Sequence, residues 1–131
     1  MTGLNTFDIA GRAMAAQLVR LNTIASNLAN AGAVSGTEAG AYRALKPVFA
    51  ATYAGQTATV DVASVERTGT PERRHDPSHP LADAQGNVWS AAVDPNQELV
   101  EMVETSRQYA NNVEVLSAAK ALTLDTLRLG R

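Results

Sequence analysis

The side chains best suited to chemistry in this 131-residue chain crowd into one stretch, from Glu72 to Asp83. His75 and His79 stand four apart, a spacing that places two imidazoles on one helix face to hold zinc. Pro77 and Pro80 forbid that helix, and no acidic residue completes an HExxH pattern, so both histidines read as loop residues. Arg73, Arg74 and His75 form a small basic cluster that could meet a phosphate. Glu72 and Asp76 flank it, and a solvated loop explains it equally well. Asp76 and Asp83 could work as a general acid and base, yet nothing in the local sequence would set their pKa values apart. There is no GxSxG, no phosphate-cradling glycine loop and no cysteine. Thiol nucleophiles, disulfides and thiolate metal sites are therefore excluded. Trp89 and Tyr109 read as packing anchors. No catalytic residue, no metal site and no cofactor is expected, and the chain is not expected to be an enzyme.

The segments around that stretch are short. Residues 32–41 (GAVSGTEAGA) have the composition of a flexible loop. Residues 42–53 lean towards strand, with Pro47 inside the run suggesting an edge strand or a bulge. Residues 57–67 alternate Val60, Val62 and Val65 with polar residues, and Ala54-Gly55-Gln56 would close the two runs into a hairpin. Residues 68–80 carry three prolines and read as irregular. Asp83 to Asn87 read as a turn, followed by a brief strand at Val88–Trp89. Together these make at most a modest β-rich subdomain.

The two ends are different. Residues 3–30 and 94–129 both read as long helices. In the first, Leu4, Phe7, Gly11, Met14, Leu18, Leu21, Ala25 and Leu28 recur at alternating steps of three and four, a heptad-type seam. That helix should start near Thr2 or Gly3 without a strong capping box, and stop at Asn30-Ala31-Gly32 with glycine in the left-handed conformation. The uncharged run Leu21 to Asn30 (LNTIASNLAN) fits either a weakened helix end or a helix packed closely among others; the second reading is favoured, because a solvated helix carries Lys and Glu. The second helix opens with Asp94 as N-cap, Pro95 in the first turn and Gln97 completing a capping box. Its seam runs through Leu99, Val103, Ser106, Ala110, Val113, Ser117, Lys120, Leu124 and Leu127, beside a second stripe of Met102, Tyr109, Val113 and Leu116. Two stripes imply more than one contact face.

The expected fold is therefore mainly α. Residues 1–32 and 94–131 are expected to form an antiparallel coiled-coil-like pair, with residues 33–93 as a small β-rich or irregular middle region. Hydrophobic residues make up 45% of the chain but aromatic ones only 5%, and much of the remainder is alanine, which argues against a large dense core. The terminal helices are accordingly expected to become fully ordered only within an assembly. The net charge of −2 gives no electrostatic footprint for nucleic acid. Asp8, Arg12, Gln17 and Arg20 interrupt any signal-like apolar run, and no stretch approaches the roughly 20 apolar residues of a bilayer span.

Three sequence blocks carry a resemblance. Arg12 to Ala33 (RAMAAQLVRLNTIASNLANAGA), with its SNLANA segment at Ser26–Ala31, resembles the N-terminal motif of the flagellar rod, hook and hook-associated proteins. His75 to Val88 (HDPSHPLADAQGNV) and Tyr109 to Gly130 (YANNVEVLSAAKALTLDTLRLG) resemble segments of proximal rod members of that family, as does the opening FDIAG at Phe7–Gly11. Asn87 departs from the pattern, standing where the family usually has an aromatic residue, and the loop GAVSGTEAGA differs from typical members. The resemblance implies a structural subunit of the bacterial flagellar basal-body proximal rod, which assembles through its terminal helices into an axial tube that transmits motor torque. It implies export by the flagellar type III apparatus without a cleaved signal, and as partners the other rod proteins and further copies of the chain. Carried over residue by residue, the assembly positions are Asn22, Ser26, Asn27, Leu28, Asn30, Tyr109, Asn112, Val113 and Leu116. The seam residues Leu4, Phe7, Met14, Leu18, Leu21, Met102, Leu124 and Leu127 join them. Two other readings remain on the residues alone: a soluble helical-hairpin module that binds one partner, and a small hydrolase using Asp76, Asp83 or the histidines.

Overall fold

A computed structural model describes residues 5–130. In chain order these form helix α1 (Thr6–Asn30), strands β1 (Val34–Ser35), β2 (Ala44–Ala54), β3 (Thr57–Thr68), β4 (Glu72–His75) and β5 (Asn87–Ser90), and helix α2 (Pro95–Leu129).

The expected start near Thr2 or Gly3 lies outside the described residues; the described helix α1 begins at Thr6 and does have a capping box. The Asn5 side chain accepts from the Asp8 amide at 2.9 Å, and the Asp8 carboxylate accepts from the Asn5 amide at 3.3 Å. Asn and Asp here play the parts usually given to Ser and Glu. Its end corrects another expectation. Ala31 stays right-handed with φ −58° and donates to the Leu28 carbonyl, and Gly32 is not among the glycines with positive φ. Asp94 caps α2 as expected, accepting from the amides of Asn96 and Gln97, with Pro95 following. Gln97 does not complete a box; its side chain turns instead to Glu101, 3.3 Å away.

Strands β2 and β3 form an antiparallel ladder from Ala44↔Thr68 to Ala54↔Thr57, closed by Gly55-Gln56. Gly55 has φ +66° and no non-glycine residue in the described chain has positive φ, which is the pattern of a type II′ turn. The register slips between Val48 and Phe49, one residue beyond Pro47, leaving a bulge at Ala63. From Pro47 to Val60 the ribbon carries no charged residue. The other sheet has the order β1-β5-β4, all antiparallel. Two of its strands lie where only loop was expected: β1 inside GAVSGTEAGA and β4 inside the proline-containing stretch. Both exist because β5 offers them backbone partners, a non-local reason that local composition does not report. The sheets are joined at Arg43↔Ala92, where Ala44 donates to the Ala92 carbonyl at 3.3 Å and Ala92 to that of Tyr42 at 2.8 Å.

The expectation of a mainly helical chain organised by its paired terminal helices is overturned. Among the described residues helix makes up 48% and strand 28%, with two helices and two antiparallel sheets, an α+β arrangement. The hairpin is the reason. Its long strands lie on α1, so α1 packs against β2 and β3 as well as α2, and the apolar seam of α2 stays exposed instead of closing on that of α1. The core is thin. Its buried apolar side chains are Ala10, Ala16, Ile24, Ala41, Ala44 and Val88, accompanied by the polar Thr23, Asn27, Thr59, Glu98 and Thr105.

Candidate assembly surface

The two helices run in opposite directions. Asn5 to Phe7 border an open groove with Val115, Ala118, Ala119 and Leu122, while at the other end Asn27 meets Glu98. Two side-chain hydrogen bonds cross their contact. Gln17 Nε2 donates to Gln108 Oε1 at 2.9 Å, and Asn27 Nδ2 donates to the Glu98 carboxylate at 3.1 Å. On α2 the stripe containing Glu98, Met102, Thr105, Gln108, Tyr109, Asn112, Leu116 and Ala119 is buried or half-buried. The heptad-type seam one residue further round is not. Leu99, Val103, Val113, Leu124 and Leu127 are all exposed, Val103 by 63% and Leu127 by 64%. Seam residues on α1 are likewise open at Phe7, Leu18 and Ala25, whereas Met14, Leu21 and Leu28 are half-buried. Leu4 lies outside the described residues. An apolar groove on α2 lined by Leu99, Val100 and Val103 and edged by Glu104 and Arg107 forms part of this open surface.

The asparagines expected at assembly positions differ sharply in their settings. Asn22 is exposed and Asn30 half-buried, its side chain donating to the Ser26 carbonyl at 2.9 Å. Asn27 is 0% exposed and all its bonds lie within the subunit. Its Oδ1 accepts from the Leu45 amide at 2.7 Å and its Nδ2 donates to the Leu45 carbonyl at 2.9 Å, so one side chain satisfies both backbone groups of a strand residue. This double contact also fixes which end of the amide is oxygen. Tyr42 donates its hydroxyl hydrogen to the same Oδ1 at 2.9 Å, which leaves Ser26 to donate to the Tyr42 oxygen, also at 2.9 Å.

Charge gathers beside this contact. Glu98, 3% exposed, lies 3.4 Å from Lys46 Nζ, and Lys46 reaches Glu101 at 2.8 Å. Arg20 stands 3.9 Å from the other oxygen of Glu101. Burial pushes the Lys46 ammonium pKa down. The hydrogen bond to Glu101 and the attraction of both carboxylates outweigh that push, so its pKa lies above the ordinary value. Residues of α1, β2 and α2 thus meet in one cluster. Sequence reasoning gave Lys46 and Glu98 no place in such a cluster. The only available hint was a glutamate in the first turn of α2. Further along α1, Arg12 reaches Asp61 at 3.2 Å and Thr59 at 3.5 Å, tying the hairpin's distal half down.

The chemically capable stretch is built as structure. His75, at the end of β4, pairs with Asn87 across the ladder and its Nδ1 lies 3.2 Å from Asn87 Oδ1. His79 Nδ1 accepts from the Leu81 amide at 3.1 Å. Asp83 accepts from the amides of Gln85 and Asn87, both at 2.9 Å. The Ser78 hydroxyl, donating at 2.8 Å, holds the Asp76 carboxyl below its usual range, with help from Arg74 and His79. Among the described residues no group of three or more His, Asp or Glu side chains could hold a metal ion. No described helix is long and apolar enough to cross a membrane.

Comparison with known proteins finds relatives along the whole length of the chain. The family described as "Flagella basal body rod protein" matches residues 7–36, and that described as "Flagellar basal body rod FlgEFG protein C-terminal" matches residues 84–129. The chain is 48% identical to the flagellar basal-body rod protein FlgC of Salmonella typhimurium and 46% identical to that of Yersinia enterocolitica, covering the whole of each chain. Against FlgC of Aquifex aeolicus the identity is 31% over 90% of both chains. End-to-end similarity of this kind, joined to family matches at both helices, shows that the chain belongs to the FlgC family of flagellar basal-body rod proteins.

Proposed function

We propose that this chain is a subunit of the proximal rod that enters a helical assembly through its terminal helices and so helps transmit motor torque along the axis. The coarser statement follows from family membership: it is a structural rod protein of the flagellar basal body and not an enzyme. The finer reading is carried by one observation, the exposed apolar seam of α2 from Leu99 and Val103 through Val113 to Leu124 and Leu127. A monomer seldom leaves so long a stripe open unless another surface covers it. In this reading residues 1–32 and 94–131 are the axial parts and residues 33–93 the accessory part. Phe7, Leu18, Val113, Leu124 and Leu127 contact neighbouring rod subunits, including further copies of this chain, while Ser26, Asn27 and Asn30 support that surface from inside the subunit. Tyr109, Asn112 and Leu116 sit where α2 meets α1. Delivery by the flagellar type III export apparatus without a cleaved signal completes the proposal.

The test is to introduce Val103→Glu and Leu127→Glu separately into cells that lack their own copy of the gene. Both proteins should accumulate normally, yet basal bodies should lack them and swimming should be lost. Swimming at the normal rate in both variants would refute the reading.

A further inference from the structure

Helix α2 carries two stripes that could meet α1, and the structure turns the less apolar one inward. Their contact is crossed by the hydrogen bonds Gln17–Gln108 and Asn27–Glu98. It even leaves Gln17 Oε1 and Thr105 Oγ1 buried with no hydrogen-bond partner among the described residues. The apolar seam of α2 lies one residue further round and is exposed, while on α1 the seam is exposed at Phe7, Leu18 and Ala25 and half-buried at Gly11, Met14, Leu21 and Leu28.

Those seams match one another at the stagger already present. Asn27 lies ten residues beyond Gln17, and its partner Glu98 ten before Gln108, so the axial offset is constant. At that offset Leu21 comes within one residue of level with Val103, Met14 with Ala110, and Gly11 with Val113. Turning each helix about its own axis by one residue's step, roughly 100°, would therefore bury seam on seam without sliding either helix. A coiled coil of that kind is what the periodicity leads one to expect, and it does not form.

We propose that Gln17, Asn27, Glu98 and Gln108 are register-setting residues, which hold the two helices in the rotational setting that keeps the apolar seam of α2 outward and that of α1 only partly covered. Turning α1 would pull Asn27 off both backbone groups of Leu45. Turning α2 would carry the buried Glu98 carboxylate away from Lys46. Buried polar contacts of this sort select one arrangement over another at some cost in stability. The purpose of the device rests on the assembly reading, since a subunit that buried its own seams would have none to offer. The geometry itself does not depend on that reading.

The chain contains no cysteine, which makes the test direct. Leu21→Cys with Val103→Cys places a thiol on each seam, and the rate of intramolecular disulfide formation in dilute full-length protein reports seam-to-seam contact. Two double variants release the lock independently: Gln17→Leu/Gln108→Leu, and Lys46→Met/Glu98→Leu. Each should raise the cross-linking rate, and the two combined should raise it roughly tenfold or more. An unchanged rate in variants that keep their helical circular dichroism would overturn the proposal. Loss of the fold in both double variants would overturn it too, because the contacts would then set stability and not orientation. Should one alone unfold, the other decides. Swimming is scored separately: faster cross-linking with normal swimming would sink the assembly reading and leave the register proposal standing.

Discussion

Asn27 of α1 holds the amide hydrogen and the carbonyl oxygen of Leu45 in β2 with a single side chain. The contact works like one rung of a β-ladder whose second strand is a helix. Because the same Asn27 also donates to Glu98, it joins the hairpin to both helices at one point.

Replacing Asn27 with alanine strands two backbone groups and a buried carboxylate together. Each orphaned group costs about 1–3 kcal/mol, so Asn27→Ala should lose roughly 3 kcal/mol or more. Urea unfolding of the purified chain measures this. Asn22→Ala, at an exposed position, should stay within about 0.5 kcal/mol of the parent.

Lys46 carries a pKa above its ordinary value of 10.5 in the folded chain. A group whose folded pKa is raised contributes stability in full below its unfolded pKa, and that contribution is lost as pH rises through the folded value. Stability should accordingly fall as the solution is taken above about pH 10.5, and Lys46→Met should flatten that alkaline limb. Thermal melts across the alkaline range give both curves.

The Arg12–Asp61 pair is nearly half exposed on both sides. A double-mutant cycle with alanine should return a coupling of about 1 kcal/mol or less. Its effect should be local instead, with amide exchange in Thr52 to Val60 speeding up in Arg12→Ala while the base of the hairpin is unchanged.

Gly86 has φ +76°, and a Cβ placed there would lie 2.9 Å from the Pro77 ring. Both the conformation and the contact oppose a side chain, so Gly86→Ala should cost on the order of 2 kcal/mol. Chemical denaturation checks this directly. Gly11→Ala, where an added Cβ meets nothing within 4 Å, should be neutral or mildly stabilising.

Buried side chains on α2 are confined to Glu98 and Thr105 in its first third. Hydrogen exchange should therefore be slow from about Glu98 to Gln108 and quicken steadily beyond Asn112 in the isolated chain. Uniform protection along the whole helix would contradict this gradient.

How much of this could be read in advance depended on whether the cause was local. Asp94 and Pro95 announce a helix start by residue type, and Gly55 announces a hairpin turn. The family could be read from Arg12–Ala33, His75–Val88 and Tyr109–Gly130. The Asn5–Asp8 box went unseen because that pair is a less familiar version of the motif. Strand β4 was invisible because Glu72 to His75 become a strand only when Trp89 and its neighbours lie alongside. Periodicity revealed both stripes of α2 but could not say which one turns inward. That choice is made by Glu98 and Gln108 meeting partners on the other helix. Asn22, Asn27 and Asn30 look alike in the sequence, and only the approach of Leu45 gives Asn27 its distinct role.

The uncharged ribbon from Pro47 to Val60 has a practical consequence. Tyr53 at 74% exposure and Val60 at 42% lie in it, and no like charges there repel a second ribbon. Concentrated solutions of the free chain should cloud with time, first through these tips. A single lysine at the exposed Ala51 would then extend the protein's shelf life.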